Sequence, residues 1–101
     1  MSSIEQCIRN IHRYYNLEEK VEAIIKKLDS AADDTSSLEF HIKNNYKVDG
    51  DGATVAIRTN DLKNELIETR NYLKNTILPS ISSSIREEKR EKARLEEEED
   101  D

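Results

Sequence analysis

Tryptophan is missing from this chain, phenylalanine, proline and cysteine occur once each, and glycine occurs twice. With one Phe and 35% apolar residues, 101 residues can build only a thin core, which argues against sheet and sandwich folds. Scarce Gly and Pro together with 38% charged residues match the composition of long helices and coiled coils. A lone Cys7 cannot close an internal disulfide, and no second thiol or clustered histidine stands at a metal-binding spacing, so no metal or cofactor is expected. Long apolar runs are absent too. The opening segment MSSIEQCIRNIHRYY breaks its apolar residues with charges every few positions, which excludes both the core of a signal peptide and a membrane span. The expectation is a cytoplasmic chain with no membrane insertion, open to export with a partner only by a route that needs no signal peptide.

The net charge of -6 comes entirely from six consecutive acids, residues 96–101; without them sixteen acids face sixteen bases. The body is therefore mixed and neutral, with no basic face of the kind that phosphate neutralisation requires, and nucleic acid is not expected as a partner.

What is present is helical periodicity. Ser3 stands as an N-cap able to accept from the Gln6 amide, with Glu5 in the first turn. Ile4, Ile8, Ile11, Tyr14, Leu17, Val21, Ile24, Leu28, Ala31, Thr35, Leu38 and Ile42 then follow at steps of three and four, a heptad stripe over a helix of about 3–43. The Asp-, Ser- and Thr-rich residues 30–37 weaken its middle, because those side chains offer the backbone competing bonds. Residues 44–53 hold both glycines and read as a turn centred on Asp49, Gly50, Asp51 and Gly52. A second helix of about 55–95 places Leu62, Leu66, Thr69, Leu73, Ile77, Ile81 and Ile85 inward. Pro79 interrupts this stripe without ending it, so a kink is expected there. The fold class is all-α: an antiparallel, coiled-coil-like two-helix hairpin forming a single domain over 1–95, with a charged helical end and an acidic disordered tail at 96–101.

No constellation carries chemistry. Asp49, Asp51 and Asn60 mimic three positions of a calcium loop, but Ala53 and Thr54 stand at positions five and six, where a ligand and the required glycine belong, and Asn60 replaces the bidentate glutamate. His12 and His41 lie near opposite ends of the first helix, and neither forms a nucleophile, base and orienting group with Cys7. No catalytic residue and no enzyme activity are assigned. Partner binding is the better use of these surfaces. Tyr14, Tyr15 and Tyr72 are of the type enriched where helical surfaces meet, Ile25 flanks the stripe, and Ile77, Ile81 and Ile85 follow on the second helix, with Ser80, Ser82, Ser83 and Ser84 around Ile81 permitting close helix approach.

A Gly-bearing turn between two long helices, the second rich in Ile and Leu, resembles the small ESX-like (WXG-type) proteins of type VII secretion. The segment 62–85, LKNELIETRNYLKNTILPSISSSI, looks more specifically like the small helical partners encoded beside LXG-type toxins. The Trp-X-Gly turn is replaced by Val48, Asp49 and Gly50, and Tyr72 is followed four residues later by Thr76 rather than an acid. The resemblance thus implies the accessory class: a non-enzymatic targeting factor or chaperone that forms a heterodimer with the helical N-terminal domain of such a toxin. A structural coiled-coil scaffold subunit, a homodimer or an antitoxin-like inhibitor acting through the acidic tail are the alternatives.

Overall fold

A computed structural model describes residues 3–45 and 51–100, with the side chains of 3–42 and 57–99. The described chain is helical from Ile4 onward: α1 (Ile4–Asn45), α2 (Asp51–Tyr72), a π-helical turn (Leu73–Ile77) and α3 (Leu78–Asp100). Asp49 and Gly50 of the expected turn lie outside the described residues. Asp51 and Gly52 open α2, so this helix begins earlier than the periodicity suggested, and α1 runs to Asn45.

α1 starts as its cap predicts. Ser3 Oγ accepts from the Gln6 N–H at 3.1 Å, and the Ser3 carbonyl accepts from the Cys7 N–H at 2.9 Å. The helix is unbroken through residues 30–37. There Thr35 Oγ1 donates to the Ala31 carbonyl at 2.7 Å and Ser36 Oγ to the Ala32 carbonyl at 3.1 Å, so the competing hydroxyls bond back along the helix.

The chain groups into two compact units, one of Met1–Ala23 with Lys74–Asp101 and one of Ile24–Leu73. In the first unit Cys7, Val21, Ile81 and Ile85 are buried; in the second, Ala32, Thr35, Ile42 and Thr59 are. Along α1 the buried and half-buried residues are 4, 7, 11, 14, 18, 21, 25, 28, 32, 35, 39 and 42, with half-buried Gln6, Asn10, Ala31 and Ser36 beside them. That is an unbroken heptad line with a positions at Ile4, Ile11, Glu18, Ile25, Ala32 and Glu39, and d positions at Cys7, Tyr14, Val21, Leu28, Thr35 and Ile42.

This corrects one half of the expected stripe. Ile8 (39% exposed), Leu17 (45%), Ile24 (46%) and Leu38 (51%) lie off the seam, and Cys7, Glu18, Ile25 and Glu39 take the places expected for them. The reason is geometric. Both lines repeat every seven residues and share the d positions from Val21 to Ile42, so α1 carries an apolar face wider than one neighbour covers.

In the second helical stretch, Thr59, Lys63, Leu66, Arg70 and Leu73 continue a heptad line, bordered by half-buried Ile67 and Asn71. Extending that line would bury Ser80, Glu87 and Arg94, which are exposed; Ile81, Glu88 and Leu95 are turned inward instead. The phase has slipped by one residue. A π turn supplies that residue, since its i→i+5 bonding adds one to an α-helical frame. The turn includes Asn75, whose carbonyl the Pro79 ring would press upon in a regular α-helix. The helix runs through Pro79 without a stop, the interruption falling just before the ring.

α3 carries residues 96–100 as helix where the sequence reading set a disordered tail. Lys92 to Glu96 (2.8 Å) and Arg94 to Glu98 (2.6 Å), both at four-residue spacing, tie the acidic run to the preceding turn.

Candidate functional site

The first unit has a groove of about 360 Å³ between the opening third of α1 and α3, lined by Ile8, Ile11 and His12 on one side and Lys89, Lys92, Ala93 and Glu96 on the other. Its register follows from the two seams. Ile11 and Lys92 are a positions, Ile8, Lys89 and Glu96 occupy the adjacent e positions, and His12 and Ala93 lie one step further out. Ala93 is what opens the groove: a methyl at this point leaves room that a longer side chain would fill. The floor is thus apolar, and the wall carries Lys89 beside the Lys92–Glu96 ion pair.

At the margin, Lys89 Nζ donates to Tyr15 Oη at 2.8 Å and stands 5.4 Å from the centre of the same ring, a hydrogen bond and a cation–π contact that fix both side chains. Lys92 is neutralised by Glu96. On the seam of the same unit, Cys7 is fully buried. Burial raises its thiol above the ordinary range, and the hydrogen bond to Glu88 with the negative charges of Glu88 and Glu91 raises it further, Arg94 opposing. Cys7 is accordingly a packed thiol, and Glu88 Oε2 is buried without a hydrogen-bond partner.

Of the residues proposed from sequence, Tyr15 stands at the groove margin, exposed, and Tyr14 is half-buried on the seam. Ile81 and Ile85 are core residues of the first unit, at 5% exposure each, and Ile77 is half-buried. Ile25 is half-buried in the second unit and Tyr72 is exposed there. Neither Lys89 nor Ala93 stands out in the sequence. Their only signal is positional, visible once the one-residue slip after Leu73 is known.

The second unit contributes a smaller cavity of about 250 Å³ lined by Asp29, Ala32, Asp33, Ser36, Lys63, Ile67 and Arg70. Asp29 Oδ1 approaches Arg70 Nε at 2.9 Å across it, and Arg70 Nη1 donates to Asn71. This partly exposed ion pair holds two of the cavity's charges, and Asp33 and Lys63 stand beside it.

Among the described residues, no group of three or more His, Cys, Asp or Glu is placed to hold a metal ion, and no helix is long and apolar enough to cross a membrane. Comparison of the chain with protein-family models, with curated proteins and with solved structures returned no match.

Proposed function

We propose that this chain is a non-enzymatic helical binding protein, an antiparallel hairpin that holds a helix of another protein in the groove of its first unit. The observation that carries the reading is the groove itself, in which Ile8, Ile11 and Ala93 form an apolar slot beside His12, Lys89 and Lys92. A helix fits such a slot by inserting apolar side chains at spacings of three or four, and an acid on its flank would meet Lys89. The hairpin is supported unit by unit: α1 meets α3 in the Tyr15–Lys89 contact, and α1 meets α2 in the Asp29–Arg70 pair.

The resemblance to LXG-toxin partners gives the client its class, the helical N-terminal domain of such a toxin. The role that follows is that of a chaperone or targeting factor acting before a signal-peptide-independent export. Co-expression with the helical N-terminal domain of an LXG-type toxin tests this. The expected result is a stable complex at equal stoichiometry, which Ala93→Gln, by filling the slot, and Ile8→Glu both weaken at least tenfold. A client retained undiminished by Ala93→Gln, or a chain that ignores the toxin domain altogether, overturns the reading.

A further inference from the structure

The second unit has an apolar helix edge that shares no residue with the groove. On α1 it consists of the g positions Ile24, Ala31 and Leu38, at seven-residue intervals, with Ile24 and Leu38 about half exposed and Ala31 half-buried. On α2 the half-exposed Leu62 stands at the corresponding g position of its seam. In an antiparallel pair the two g lines share one edge. Apolar residues at a, d and g together are the pattern of a helix with two neighbours in a bundle, and within this unit α2 supplies only one.

We propose that this edge binds a second copy of the same chain, with a two-fold axis passing beside Ala31. The pattern is self-complementary about that residue. Two antiparallel copies of α1 centred there set Ala31 against Ala31, and Ile24 of each copy level with Leu38 of the other. The exposed c positions complete the match: Lys27 of one copy falls within about 1.5 Å, along the axis, of Asp34 of the other. Large residues thus bracket a small one, and an opposite-charge pair recurs on either side of the axis. A two-fold contact requires that kind of self-complementarity, and an alanine at its centre permits close helix approach. The apolar line from Ile24 to Leu38 is about 21 Å long, so the dimer is a weak one that assembles between roughly 1 and 100 µM chain.

Sedimentation equilibrium of the full chain tests the proposal, with circular dichroism as the check on folding. Lys27→Asp and Asp34→Lys should each weaken dimerisation about tenfold by placing like charges opposite, and the double variant K27D/D34K should restore it. All of these substitutions are on exposed positions. The axis itself is tested by oxidative cross-linking in a Cys7→Ala background. Ala31→Cys should cross-link to itself, while Ile24→Cys should cross-link only when mixed with Leu38→Cys. A chain that stays monomeric to about 1 mM, a double charge swap that fails to restore association, or self-cross-linking of Ile24→Cys overturns it; in the first case the edge serves a different protein. Ile8→Glu should leave the dimer unchanged, so loss of client binding and loss of self-association are read separately.

Discussion

Ile24 and Ile42 offer the same substitution on the same helix and in the same unit, one off the seam and one on it. Ile42 is 8% exposed and Ile24 46%. Truncating Ile42 to alanine removes a buried side chain and leaves a cavity, for which about 3 kcal/mol is expected within the usual range of large-to-small core changes. Ile24→Ala removes a side chain that is only half covered. Roughly half of its transfer free energy, about 1 kcal/mol, is lost, and the better helix propensity of alanine returns about 0.4 kcal/mol. The two variants should therefore differ by about 2 kcal/mol or more. With a urea slope of about 1.5 kcal/mol/M, their midpoints should separate by more than about 1 M. Helicity followed by circular dichroism in urea reads this directly, at sub-micromolar chain so that self-association adds nothing to Ile24. Equal slopes are needed for the comparison. If Ile24→Ala costs as much as Ile42→Ala, the inward line runs through the g positions, and the seam assignment together with the proposed dimer edge is refuted.

Three further outcomes follow from the same structure. Pro79 is exposed and inside a continuous helical stretch, so Pro79→Ala should raise stability by about 1 to 3 kcal/mol, seen as a higher urea midpoint; no change would mean that the π turn already removes the cost. The raised, buried Cys7 thiol should resist alkylation in the native chain near pH 8 and react fully in urea, and fast native labelling would contradict its packing. Glu91 is held below the ordinary carboxylate range, first by the hydrogen bonds from Arg94 and then by its charge, with desolvation opposing. A depressed carboxylate contributes stability above its unfolded pKa and loses it as pH falls through the folded one. Helicity near the end of α3 should thus decline below about pH 4.5, and Glu91→Gln should flatten that part of the acid titration; an unchanged profile would remove the Glu91–Arg94 pair from the effect.

The cap at Ser3, the continuity of α1 and the all-helical class were legible in the sequence, because each depends on neighbours three or four residues apart. The candidate groove was only partly so. Tyr15 stood out as an unplaced aromatic, but Lys89 and Ala93 gave no local signal, since their position depends on a phase slip that the apolar pattern conceals. Counted by fours from Leu73, Ile77, Ile81 and Ile85 continue the apolar line, and Ile81 and Ile85 also lie on the downstream seam, so the extra residue does not interrupt it. The charged 96–100 segment misled in the other direction: acids oppose the dipole at a helix end, yet Lys92 and Arg94 reach forward to pair with them.

The chain's composition and spacing alone determine that it forms long helices, because backbone bonding, capping and a three-and-four apolar rhythm are local properties. They also determine that the apolar face of α1 is broad, from Leu17 and Ile24 on one side of the d line to Ile11 and Ile25 on the other. Which side packs inward was decided only in the tertiary structure. A helix covers one flank of its neighbour, so within the second unit the placement of α2 on the a side leaves Ile24 and Leu38 on the outside. The same packing puts the extra residue into a π turn at Leu73–Ile77, where it brings Ile81 and Ile85 inward.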